Sequence, residues 1–219
     1  MIWILQNQGI VPVGRYGILL KEMGFPSSHC MIGEGESLPL LKSGDALIVL
    51  GGTMGVHESG RYPWLETLQA FLRDAAHNGT PILGICLGAQ LLCAALGGRV
   101  TANSCGERGI HLVRLAPDGA SDPLFAGIDS NFRGLQWHND SFDLPAEARL
   151  LAFSSLCPVQ AFRFRNAYAL QFHPEVDECV LTGWNGLLSP PGDYVREFVA
   201  ASREWQPAWD RILMNFLAF

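Results

Sequence analysis

Through its first half the chain alternates short β-rich apolar runs with longer stretches of helical period. Residues 2–6 (Ile-Trp-Ile-Leu-Gln) read as a strand, 13–23 as a helix stopped by Gly24, and 28–32 as a weaker strand. Residues 46–50 (Ala-Leu-Ile-Val-Leu) are apolar without a break, as in a strand buried on both faces. Pro63 opens a helix that reaches residue 78, where Gly79 ends it. A second buried strand follows at 81–85, then a helix over 87–96 closed by Gly97-Gly98. Repeated β-α-β units of this kind predict a parallel sheet with helices on both faces.

Beyond residue 98 the period shortens. Segments 110–115, 132–137, 150–153, 159–164 and 167–172 predict strands of an antiparallel extension, the last two joined by a tight turn at Arg165-Asn166. Helical stretches close the chain at 178–188 and 194–217, the second interrupted at Pro207. Repeats, low-complexity tracts and long linkers are absent, so residues 1–219 read as one domain.

Composition narrows the partners. Forty-eight per cent of residues are hydrophobic and 16% charged, which suits a compact core. The formal charge is −6 and no Lys/Arg cluster occurs, so neither nucleic acid nor an anionic membrane is an expected partner. Met1 leads straight into Ile2-Trp3-Ile4-Leu5 with no basic leader, and the most apolar stretch, 82–96, carries Gly84, Gly88 and Gln90 and is too short to span a bilayer. The six cysteines show neither C-x-x-C nor zinc-like spacing. They read as reduced thiols of a cytoplasmic protein, with no metal and no cofactor expected.

Chemistry concentrates at Pro81-Ile82-Leu83-Gly84-Ile85-Cys86-Leu87-Gly88-Ala89-Gln90. A buried strand runs into Gly84-x-Cys86-x-Gly88 and a helix starts at once. This is the cysteine form of a nucleophile elbow, in which a sharp turn lifts the side chain over the sheet's C-terminal edge. The helix N-terminus beneath it favours thiolate over thiol. Cys30, Cys93, Cys105, Cys157 and Cys179 lack such a context and read as ordinary thiols. A cysteine nucleophile needs a base held by a third group. Of six histidines, His29, His77 and His111 lie in ordinary strand or helix surroundings, whereas His173 follows the apolar run 169–172 and opens His173-Pro174-Glu175. Residues two apart on extended backbone face the same side, so Glu175 can orient the imidazole.

Three motifs together resemble the class I (triad) glutamine amidotransferases: the loop Gly51-Gly52-Thr53-Met54-Gly55, Gly84 to Gln90, and His173-Pro174-Glu175, in the family's order. Gln136-Trp137-His138-Asn139-Asp140 and Cys157-Pro158-Val159-Gln160-Ala161-Phe162 resemble the GMP-synthase-like branch, which has stand-alone members and γ-glutamyl peptidases in plants. The resemblance implies a flavodoxin-like α/β fold: a twisted, mostly parallel sheet with helices on both faces and a small antiparallel extension. It further implies that Cys86 attacks the side-chain amide of glutamine, that a γ-glutamyl thioester forms as ammonia leaves, and that His173 acts as base and then acid. Gly52 and Leu87 would hold the oxyanion through backbone N–H groups; Gln90, Trp137, His138, Asn139 and Asp140 would contact the α-amino and α-carboxylate groups. Two positions depart from the family: Ala89 stands where many members have histidine, and Thr53-Met54 replaces the usual proline of the glycine loop.

No synthetase region follows the motifs, so the expected partners are a small-molecule glutamine or γ-glutamyl substrate and an ammonia-accepting synthetase subunit. The alternatives are a γ-glutamyl peptidase without an acceptor, and a catalytically silent regulatory module on the same fold.

Overall fold

The computed structural model describes residues 1–218, and every structural statement below concerns those residues. Its centre is a nine-stranded sheet. Five parallel strands run in the order β2 (Ser27–Met31), β1 (Ile2–Gln6), β3 (Ala46–Val49), β4 (Ile82–Ile85) and β11 (Ala167–Leu170). From β11 the sheet continues antiparallel through β10 (Ala161–Phe164), β9 (Arg149–Phe153), β6 (Glu107–Leu115) and β7 (Asn131–His138). A separate two-stranded ribbon pairs β5 (Val100–Thr101) with β8 (Ser141–Phe142). The fold is flavodoxin-like, as expected, and the antiparallel extension grows from the same sheet edge.

Period-two alternation decides which helices cover which face. Leu5, Leu47, Val49 and Ile82 point to one side and pack on Leu68 and Leu72 of α2 (Trp64–His77) and on Leu91 of α3 (Leu87–Ala95). Their neighbours Ile4, Ile48, Leu83 and Ile85 point to the other, meeting Tyr16 and Leu20 of α1 (Gly14–Glu22) and Ile212 and Leu213 near the C-terminus. The short α4 (Pro117–Ala120) rests on β9, and α5 (Glu178–Asn185) packs on α6 (Tyr194–Phe216). No helix is long and apolar enough to cross a membrane.

One element differs from its expectation. α6 runs unbroken through Pro207. The ring costs one backbone hydrogen bond, but the helix is pinned on both sides of it. Trp209 is fully buried and donates its indole N–H to the carbonyl of Arg133 at 2.7 Å, and Trp205 packs against Trp209. Tertiary anchoring outweighs the local penalty. β5, β8 and α4, each four residues or fewer, carried no periodic signal.

Candidate active site

Carboxyl ends of the parallel strands carry the candidate residues. β4 ends at Ile85, and Cys86 follows with φ 51° and ψ −108°. A side chain in that region of backbone space is strained, and such strain persists only where the surroundings hold it. The elbow glycines are required by close approach: a Cβ on Gly84 would lie 2.7 Å from the carbonyl oxygen of Gly88, and one on Gly88 would lie 2.1 Å from that of Val49. The turn therefore sits flush against β3, with Cys86 at the N-terminus of α3.

β11 delivers the partner. After Leu170 the backbone N–H of His173 bonds to the carbonyl of Leu135 at 2.8 Å, which ties the segment to β7. Nδ1 of His173 donates to Oε1 of Glu175 at 2.8 Å, and both side chains are almost wholly buried. Cys86 and His173 flank Gly51, where a Cβ would stand 3.3 Å from Cε1 of the imidazole and 3.6 Å from Cβ of the cysteine. The two line a common cavity. Burial pulls the His173 pKa down, but the charge of Glu175, then the charge of Cys86 and the hydrogen bond to Glu175, push it up to about 10. Trp184 of α5 stands edge-on to the ring at 4.9 Å and is held there by its own indole bond to the carbonyl of Ile10.

The glycine loop 51–55 lies beside them. Asn7 holds it by donating to the carbonyl of Leu50 at 2.6 Å, Gln8 accepts from the backbone and hydroxyl of Thr53, and Glu58 accepts from the N–H of Gly55. Thr53 thus supplies an anchor where the family's proline is missing. Gly52 lies close to Leu87, whose Cδ2 would be 2.7 Å from an added Cβ.

A polar cavity of about 230 Å³ opens on the far side of Cys86, and Gly52, Gln90, Trp137, His138, Asn139 and Asp140 all line it. Gln90 gives its amide N–H groups to the carbonyl of Asp140 and to Gln171, and Asp140 accepts from the N–H of Asn103. Sequence reasoning missed Arg108, which lines the cavity with its guanidinium 5.0 Å over the ring of Trp137. Only the long-range register Arg108↔Trp137 of β6 and β7 places it there.

Beneath the cavity lies a second unforeseen cluster. Glu107, His138 and Cys157 bring one ligand atom each within 4.8 Å of one another, a spacing that a metal ion would accept. Glu107 is already occupied, however: Ser154 donates to one oxygen at 2.8 Å and Gln160 to the other at 2.5 Å, while Nε2 of His138 lies 3.3 Å away. Burial pushes its pKa up, but the neighbouring His138, Ser154 and Cys157 outweigh that and hold the carboxyl below its ordinary value. Nδ1 of His138 donates to the carbonyl of Asp140, so Glu107 acts through His138 to position the 137–140 loop. Glu107→Gln is expected to cost about 1–3 kcal/mol of stability in urea unfolding and to raise KM more than it lowers kcat.

The family profile described as glutamine amidotransferase class-I matches residues 29–179. The chain belongs to the class I glutamine amidotransferase family. The glutamine amidotransferase-like protein YfeJ of Salmonella typhimurium is 30% identical over 209 residues, covering 91% of this chain and 87% of that protein. A glutamine-hydrolyzing GMP synthase component of Thermoplasma acidophilum, itself a separate subunit, is 34% identical over 136 residues, 61% of this chain and 64% of that protein. In the GMP synthase of Thermomicrobium roseum the match spans only 23% of the protein. The crystal structure of a glutamine amidotransferase from Thermotoga maritima superposes with a TM-score of 0.90 at 24% identity, covering 100% of this chain and 98% of that one, and so shares the fold.

Proposed function

We propose that this family member hydrolyses the γ-carboxamide of glutamine through a thioester on Cys86, with His173 as acid–base and Glu175 as its orienter. The observation that carries the reading is the buried His173–Glu175 pair meeting, across Gly51, a cysteine raised on a strained turn. The Cys86 thiolate attacks the amide carbon, and backbone N–H groups of Gly52 and Leu87 receive the oxyanion. The C–N bond breaks as His173 gives its proton to the departing nitrogen. Water then attacks the thioester, its proton passes to His173, and glutamate leaves. In the polar cavity Arg108 suits the α-carboxylate. Asp140, a carboxylate lining the same cavity, suits the α-ammonium. The similarity to a GMP synthase component that is a separate chain supports a synthetase partner as the acceptor of ammonia.

Treatment with an electrophilic glutamine analogue followed by peptide mass spectrometry tests the reading. A single adduct on Cys86, suppressed by excess glutamine, is the expected result. Labelling spread over several thiols, or none at residue 86, would remove the nucleophile and return the fold to a non-catalytic module.

A further inference from the structure

Two chambers meet at Cys86, and their chemistry is opposite. Gly52, Thr53, Cys86 and Trp137 border both. The first holds Arg108, Asn139 and Asp140. The second, of about 100 Å³, is walled by Ile10, Val11, Trp137, Trp184, Leu187 and Leu188, and among its lining residues are no lysine and no arginine. His173 lines only this second chamber.

That placement assigns the two halves of a substrate. The departing nitrogen must lie within reach of the group that protonates it, so it faces His173 and the apolar walls. The glutamyl part lies on the side of the charged residues. When glutamine is bound, the departing group is bare ammonia, which covers none of this surface. The walls are nevertheless preformed: Trp184 is fixed by its bond to the carbonyl of Ile10 and packs against Trp137, with ring centroids 5.9 Å apart. Leu187, 64% exposed, extends the apolar surface to the mouth. A cavity of about 150 Å³ lined by apolar side chains takes up benzene, so this smaller, open one suits a single ring or a short branched chain. A carboxylate would find no lysine or arginine there, and the imidazole of His173 is already paired with Glu175.

We infer that the apolar chamber is a subsite for a substituent on the leaving nitrogen, and that the favoured substrates are γ-glutamyl amides of compact, uncharged apolar amines. This rests on the roles given above to Cys86 and His173. The reaction keeps the same balance. Sγ bonds to the γ-carbonyl carbon, the C–N bond breaks, and His173 supplies the proton with which the amine departs. Water then releases glutamate and restores the thiol–imidazole pair. The apolar substituent never enters the charged chamber.

Glutamate release is measured for four substrates: L-glutamine, γ-L-glutamyl methylamide, γ-L-glutamyl benzylamide and γ-L-glutamyl-L-phenylglycine. The benzylamide is expected to exceed the methylamide in kcat/KM by at least about tenfold. It should exceed the phenylglycine peptide by a similar factor, because that peptide adds only a carboxylate to the benzylamide. Leu187→Asp and Leu188→Asp should bring the benzylamide-to-methylamide ratio toward one. If the benzylamide is no faster than the methylamide while glutamate is still released from glutamine, the subsite is overturned and the thioester chemistry stands. A peptide faster than the benzylamide overturns the uncharged-amine assignment, as an unchanged ratio in both leucine variants overturns the chamber. No glutamate from any of the four, with Cys86 unlabelled by the glutamine analogue, brings down both readings.

Discussion

Cys86→Ala protein is expected to release glutamate from glutamine about 10⁴-fold more slowly than wild type, or worse, in a coupled glutamate assay. The loss is large because the sulfur's position is determined by everything around it. The backbone at residue 86 is held at φ 51° by Gly84 and Gly88 packing against one another and against Val49, so no neighbouring thiol can be brought to the same point. The other buried thiols are poor substitutes. Burial, with the charge of Asp143, pushes Cys93 up to about 12, and burial likewise pushes Cys157 well up. His173→Ala should fall by a comparable factor, and the Cys86→Ala/His173→Ala double variant hardly further, since the two act as one unit. Retention of a tenth of wild-type turnover by Cys86→Ala protein would exclude residue 86 as the nucleophile.

How much of this was legible beforehand depended on the range over which each feature is encoded. The strands at 46–50 and 81–85 are written locally as unbroken apolar runs, and burial on both faces of the sheet is what those runs require. The elbow is also local, because two glycines and a cysteine within five residues meet a steric demand within the same turn. His173-Pro174-Glu175 was legible for the same reason, although β11 ends at Leu170 and the histidine lies three residues beyond it. Arg108, Glu107 and Trp184 were not legible. Arg108 and Glu107 gain their roles from pairing with Trp137 and His138 across the β6–β7 register, and Trp184 from a helix face turned toward a histidine eleven residues upstream. Pairing partners distant in sequence leave no periodic trace, so such residues read as ordinary alternation until the sheet is assembled. Pro207 errs in the opposite direction. Its local signal is strong, and the burial of Trp209 overrides it.

Glu175→Gln is the sharper test of the charge arrangement, because it keeps the shape and the hydrogen-bonding capacity while removing one anion. In wild type the His173 pKa lies near 10 against an ordinary 6.5, with burial opposing the rise and Glu175 the largest contributor to it. The folded state therefore holds the His173 proton more tightly than the unfolded chain across that interval. Stability from this source is complete below about pH 6.5, declines as pH rises, and is gone once pH passes about 10. With glutamine at 175 the charge is absent and burial dominates, so the imidazole loses its proton at much lower pH. The stability gap between wild type and Glu175→Gln, measured by urea unfolding, should accordingly be widest near pH 6 and narrow steadily toward pH 10. The same loss leaves Cys86 without a cationic partner at neutral pH. Turnover should fall with it: kcat at pH 7 is expected to drop by about 10³-fold or more, as when a triad carboxylate is replaced by its amide. A stability gap that stayed constant with pH would mean that Glu175 stabilises the fold by hydrogen bonding alone and that no ion pair stands behind the nucleophile.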